Sequence, residues 1–108
     1  MSAPWPPPPD LESIQQLVRE ADIEGHLAEG APADEYEPEE DDLFAAIAHL
    51  LTAQLTAVNL QPIIEDIWRK SFNLNNVSIG TRIPTIATLA AQIERFFGPE
   101  AKPQVRNT

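Results

Sequence analysis

The sequence predicts an all-α protein, a small single-domain four-helix bundle. Three observations lead to this fold class. The chain has 108 residues, of which 43% are hydrophobic, which suffices for one domain with one modest core. Apolar residues recur every three or four positions in four separate segments, the spacing of an amphipathic helix. Glycine and proline stand between those segments, where helices end.

The first predicted helix covers residues 11–22. Asp10 is a suitable N-cap, because its carboxylate can accept hydrogen bonds from free amides of the first turn. The apolar face consists of Leu11, Ile14, Leu17, Val18 and Ala21. Prolines exclude a helix over residues 1–9, so we expect a disordered proline-rich tail there, with a PxxP pattern at Pro4 and Pro7.

The second predicted helix covers residues 38–56. Residues 23–37 lack helical spacing and contain Gly25 and Gly30, so they form a long loop. Pro38 suits a first helical turn, and the carboxylates that follow it face the positive end of the helix. The apolar stripe consists of Leu43, Ile47, Leu50, Leu51 and Leu55.

The third predicted helix covers residues 60–73, with Pro62 in its first turn, and an asparagine-rich loop follows over residues 73–82. The apolar face of the third helix consists of Leu60, Ile63, Ile64, Ile67, Trp68 and Phe72.

The fourth predicted helix covers residues 84–97, because Pro84 suits a first turn and Gly98 stops the helix. We therefore expect a helical domain over residues 10–98 and a disordered tail over 99–108. The apolar face of the fourth helix consists of Ile86, Leu89, Ala90, Ile93, Phe96 and Phe97.

Several kinds of catalytic and metal site lack their residues. The absence of cysteine excludes disulfides, thiolate metal sites and cysteine nucleophiles. Neither His26 nor His49 has a glutamate three positions earlier, so the Glu-x-x-His motif of di-iron bundles is missing. The serines stand in no nucleophile motif. We expect no catalytic residue, no metal ligand and no cofactor.

The distribution of charge argues against nucleic-acid and membrane partners. Phosphate binding needs clustered basic residues, whereas those of the second half, among them Arg69, Lys70, Arg82 and Arg95, are few and scattered. No leader pattern and no apolar run of about 18 residues is present, so we expect a cytoplasmic protein.

The most distinctive feature is an acidic run over residues 34–42, where seven of nine residues are Asp or Glu. Residues 1–59 carry thirteen acidic residues and one basic residue, a net charge of −12, whereas residues 60–108 carry +2. One helix end uses one or two carboxylates, and the rest are either a solvated surface or a binding site for a cationic partner. Tyr36 serves either as an interface anchor or as a pin holding the loop to the core. The candidate partner-binding residues are Asp34, Glu35, Tyr36, Glu37, Glu39, Glu40, Asp41 and Asp42.

The leading hypothesis is a non-enzymatic interaction protein that presents this run to a basic protein. Two alternatives remain. Glu37 and Glu40 form one Glu-x-x-Glu, half of the paired motif of a magnesium-dependent nucleotide phosphohydrolase. The acidic half of one copy could also meet the basic residues of another in a homo-oligomer.

Four elements of the sequence resemble a widespread family of short bacterial proteins. Residues 21–25 are similar to that family's WDPIG element, without its Trp and Pro, and residues 34–36 match its DEY element. Residues 47–51 match the helix that follows in the family, and residues 60–72 resemble the next one, so the similarity covers about residues 11–73. The family has no settled activity, so the resemblance implies a small helical fold and no catalytic residues. By analogy alone, some small acidic bacterial proteins are immunity proteins or antitoxins.

Overall fold

The computed structural model describes residues 6–101, which form four α-helices and no strand. The helices are α1 (Leu11–Ala21), α2 (Glu37–Ile47), α3 (Ala57–Phe72) and α4 (Asn76–Phe97), with a short 3₁₀ helix at Thr52–Gln54 before α3. The predicted all-α, four-helix fold is confirmed. None of these four helices combines the length and the apolar character that crossing a bilayer requires.

The end of α2 differs from the predicted span of 38–56. The helix stops at Ile47, and the chain turns into the 3₁₀ helix, where the side chain of Gln54 accepts a hydrogen bond from the amide of Leu51 at 2.8 Å. Leu55 is nevertheless buried, whereas Leu51 is 71% exposed. The apolar spacing therefore continued through a turn, and spacing alone placed the helix end too late.

The start of α4 lies eight residues before the predicted start at Pro84. Asn75 caps it, because its side-chain oxygen accepts a hydrogen bond from the amide of Ser78 at 2.8 Å. Most of the loop expected over residues 73–82 is therefore helix. Pro84 lies inside α4 and is exposed, so the hydrogen bond that its ring removes falls on the solvent side.

The start of α3 lies three residues before the predicted start at residue 60. Pro62 therefore lies beyond the first turn, inside the helix, and it is exposed. Solvent on that side can satisfy the carbonyl that loses its helical donor.

The helices form a closed ring in which α1 packs on α2, α2 on α3, α3 on α4 and α4 on α1. Each helix contributes an apolar stripe to a single core at the centre of this ring. The buried apolar residues are Ile14, Leu17, Val18, Tyr36, Leu43, Ile47, Leu55, Leu60, Ile64, Trp68, Ile79, Ile86, Leu89, Ala90, Ile93 and Phe97.

The described prolines before α1 lie against the bundle. Pro9 is buried, and Pro6 and Pro8 line an open cleft of about 560 Å³ together with Leu50, Leu55 and Pro99. Burial of Pro9 was not part of the expected disordered tail over residues 1–9. Residues 1–5 and 102–108, with the Pro4 end of the PxxP pattern and most of the second tail, lie outside the described residues, so the division of the chain into tails and a domain stays a prediction.

Candidate interaction surface

The acidic run lies at the end of the bundle where α1 and α3 stop and α2 and α4 begin, which we call the loop end. Residues 22–36, which we call the strap, cross this end from α1 to α2. The strap contacts α4 through an ion pair between Glu24 and Arg82, and it contacts the end of α3 where His26 meets the ring of Phe72 at 6.1 Å. The strap therefore contacts both α3 and α4 at this end of the bundle.

Tyr36 lies inside the protein, with no exposed surface. Its hydroxyl donates to Asp22 Oδ1 at 2.6 Å and accepts hydrogen bonds from the amides of Glu24 at 3.1 Å and His26 at 3.3 Å. Its ring stacks on His26 at 5.8 Å and lies 6.1 Å from the ring of Trp68. Tyr36 therefore pins the strap to the core, the second of its two expected roles, and its side chain is not exposed to a partner.

Asp22, the first residue of the strap, fixes its start by hydrogen bonds. It follows the last residue of α1 in a left-handed conformation (φ 45°), which aspartate tolerates better than most residues. Besides Tyr36, its carboxylate accepts hydrogen bonds from the amides of Leu27 at 3.0 Å and Ala28 at 2.9 Å. Burial raises the pKa of Asp22, but these three hydrogen bonds favour the carboxylate and together hold the pKa below its ordinary value. Burial and the hydrogen bond to Asp22 both raise the pKa of Tyr36, so the phenol stays protonated.

Glu40 is also internal. Its fully buried carboxylate accepts two hydrogen bonds from the half-buried guanidinium of Arg19, Oε2 from Nε at 3.0 Å and Oε1 from Nη2 at 3.2 Å. This two-pronged geometry is the strong form of an Arg–carboxylate pair, and it joins α1 to α2. The hydrogen bond to Glu40 raises the pKa of Arg19.

Glu39 faces α3 and is 6% exposed. Burial raises its pKa, the hydrogen bond with Ser71 acts in the opposite direction, and the nearby charges of Asp42, Glu40 and Glu35 raise it further. Within residues 6–101 no Lys, Arg or His forms an ion pair with Glu39. Folding therefore places this carboxylate at an energetically unfavourable position.

Five carboxylates of the run remain on the outside, and we call them the acidic surface. Asp34, Glu37, Asp41 and Asp42 are exposed, and Glu35 is half-buried. In the part of the chain that the structure describes, none of them forms an ion pair. Asp34 and Glu37 do act at longer range on Arg19, whose pKa they help to raise.

Helical spacing explains why the run divides in this way. Tyr36, Glu40, Leu43 and Ile47 follow one another at intervals of three or four and lie on one buried stripe. Positions 37, 41 and 42 lie on the opposite side. Of the eight candidate residues, the structure thus turns Tyr36, Glu39 and Glu40 inward and leaves the other five at the surface, where their binding role stays a prediction.

The ion pair between Glu24 and Arg82 was not anticipated from the sequence. Arg82 Nε lies 3.1 Å from Glu24 Oε2 and Nη2 lies 2.9 Å from Oε1, and the Glu24 side chain is 6% exposed. Arg82 Nη1 also donates to the carbonyl of Ser78 at 3.1 Å. The hydrogen bond to Glu24 raises the pKa of Arg82. The pair spans 58 positions of sequence, so no local pattern indicates it.

The candidate metal motif does not come together as a pair of free ligands. Glu37 is exposed, but both oxygens of Glu40 are occupied by Arg19. Among residues 6–101 no three Asp, Glu or His side chains are grouped closely enough to hold a metal ion. His49 is exposed in the turn that follows α2, and His26 stacks on Tyr36.

Residues 21–25 and 34–36, two of the elements compared with that family, contact each other, since Asp22 belongs to the first and Tyr36 to the second. Their contact gives both elements a structural role at the loop end. Comparisons of the chain with protein families, with curated proteins and with solved structures found no match.

Proposed function

We propose that this chain is a non-enzymatic interaction protein whose acidic surface binds a basic protein partner. The supporting observation is that five carboxylates of the run lie at the surface, whereas Glu39 and Glu40 are buried. None of these five forms an ion pair within the part of the chain that the structure describes. Uncompensated like charges repel one another, so they cost the free protein stability that a cationic partner would restore.

The geometry also bears on the kind of partner. The acidic surface joins the strap to the first turns of α2, so it is fixed on a packed element. A fixed array of carboxylates can replace the phosphates that a basic nuclease binds, which is how an immunity protein or antitoxin would act. That assignment is the specific form of the proposal.

The alternatives gain less support from the same contacts. A phosphohydrolase would need Glu40, which is bonded twice to Arg19. Self-association would draw on the basic residues of the second half, and one of them, Arg82, is bonded to Glu24. A mass measurement at several concentrations tests self-association directly, because an unchanged monomer mass removes it.

In the test, the surface variant neutralises only exposed carboxylates. The surface variant carries Asp34→Asn, Glu37→Gln, Asp41→Asn and Asp42→Asn, and a control variant loses four acids elsewhere: Glu12→Gln, Glu65→Gln, Asp66→Asn and Glu100→Gln. Binding of fluorescein-labelled decalysine is measured from about 50 to about 300 mM NaCl, across which charge screening increases.

We expect the surface variant to bind decalysine about ten-fold more weakly at low salt, with a shallower salt dependence, while the control stays near the unmodified protein. Equal weakening in both variants means that net charge alone drives binding, and it contradicts the proposal.

A further inference from the structure

The strap has the properties of a small unit that is fastened at defined points. Its two ends are joined by the hydrogen bond from Tyr36 to Asp22, fourteen positions apart. Within the strap, the amide of Gly25 donates to the carbonyl of Asp22 at 2.9 Å. The amide of Ala31 donates to the carbonyl of His26 at 3.0 Å. Compact loops with joined ends of this kind move as units and often carry function.

The middle of the strap is fastened to α4 by the ion pair between Glu24 and Arg82. A chain of contacts links this pair to the acidic surface: Arg82 holds the Glu24 carboxylate, and the Glu24 amide donates to the Tyr36 hydroxyl. Asp34 and Glu35 directly precede Tyr36 in the chain. Loss of the contact between Glu24 and α4 would therefore weaken the hydrogen bond from Glu24 to Tyr36 and loosen the strap residues just before Tyr36.

We propose that Arg82 is a positioning residue for the acidic surface, because it holds the strap against α4 through Glu24 and so fixes Asp34 and Glu35 in their binding arrangement. The proposal rests on the proposed function for its effect on binding, whereas its effect on the strap does not depend on any partner. Preorganised charges bind more strongly than mobile ones, since less conformational entropy is lost on binding.

The direction of the change in decalysine affinity tests the proposal, because positioning and simple electrostatics predict opposite effects of replacing Arg82. Arg82→Gln removes a positive charge from an acidic protein, which on charge alone should strengthen decalysine binding. Positioning predicts weaker binding. Lys70→Gln is the matched control, since it removes the same charge from an exposed side chain at the same end of the bundle.

The first measurement is hydrogen exchange at the strap amides that donate to Tyr36 and Asp22, namely those of Glu24, His26, Leu27 and Ala28. We expect exchange about ten-fold faster in Arg82→Gln, with core amides of α3 unchanged, because a charge-assisted hydrogen bond is lost locally. Arg82→Lys keeps the charge but not the two-pronged geometry, so it should restore exchange only in part. Should Arg82→Gln fail to fold, Glu24→Gln breaks the same pair from the strap side.

The second measurement is decalysine affinity. We expect a decrease of about three-fold or more in Arg82→Gln and no decrease in Lys70→Gln. Unchanged strap exchange together with equal affinity changes in both variants overturns the inference. The two proposals fail separately. If strap exchange is faster in Arg82→Gln but the surface variant and its control lose decalysine affinity equally, the proposed function is overturned. The fastening of the strap by Arg82 is established in that case.

Discussion

The hydroxyl of Tyr36 and the carboxylate of Asp22 lie 2.6 Å apart and join the start of α2 to the end of α1. The contact closes the strap, and the same hydroxyl accepts hydrogen bonds from two strap amides. Three polar groups thus depend on one oxygen atom inside the protein, which makes that oxygen a sensitive point for the stability of the loop end.

Tyr36→Phe removes only that oxygen. We expect the free energy of unfolding to fall by about 1 to 3 kcal/mol, because the partly buried amides of Glu24 and His26 lose their acceptor. Urea denaturation followed by circular dichroism measures the change, and Val58→Ala, at a position 79% exposed, is the control that should be near neutral. A Tyr36→Phe variant as stable as the unmodified protein would mean that water replaces the hydroxyl.

Glu39→Gln should make the protein more stable at neutral pH. The pKa of Glu39 is raised in the folded state, so the folded protein binds a proton more tightly than the unfolded chain, and Glu39 lowers stability as the pH rises through its folded pKa. Glutamine removes that charge and can still contact Ser71. Thermal unfolding at a series of pH values should show a gain at pH 7 that disappears below the ordinary glutamate pKa, at about pH 4. A gain that persists unchanged at that pH would point to a cause other than the charge.

Arg19→Ala should destabilise the protein more than simultaneous replacement of both partners. The single change leaves the Glu40 carboxylate buried without its cation. We expect the free energy of unfolding to fall by about 2 to 3 kcal/mol, less than for a fully buried pair because part of Arg19 is exposed to water. Arg19→Met combined with Glu40→Leu removes both charges and should recover much of that loss. A double-mutant cycle of Arg19→Met, Glu40→Leu and their combination, measured in urea, gives the coupling, and additive effects would show that the pair contributes little.

Gly98→Ala and Gly80→Ala should have opposite effects. A methyl group on Gly98 would lie 2.6 Å from the carbonyl oxygens of Glu94 and Leu55, so we expect a loss of about 1 to 3 kcal/mol. Gly80 lies in α4 with open space around it, and alanine there should add about 0.5 to 1 kcal/mol through its helix propensity. Melting temperatures of the two variants should therefore lie on either side of the unmodified protein, and a shift in the same direction for both would contradict the packing around Gly98.

The sequence predicted the number of helices because each carries its own apolar spacing, which is a local property. It missed the start of α4 because asparagine is common both in loops and at helix N-caps. In the structure, Asn75 is the N-cap. It extended α2 too far because Leu55 stays buried on the far side of a turn.

The candidate site was predictable in part. The position of Tyr36 four residues before Glu40 and seven before Leu43 already placed all three on one helical stripe, so their burial could have been inferred. The cations that hold the loop end could not, because Arg19 and Arg82 meet their partners across 21 and 58 positions of sequence. Such pairs follow from the packing of whole helices.

Trp68 offers a built-in optical reporter of the loop end. Its indole is fully buried, and its ring lies 6.1 Å from that of Tyr36. The chain has one other tryptophan, so Trp5→Phe leaves Trp68 as the sole indole fluorophore. Lifting Tyr36 away would admit water to that indole and shift its emission to longer wavelength. Opening of the strap could then be followed in real time by stopped-flow fluorescence, with no label attached to the protein.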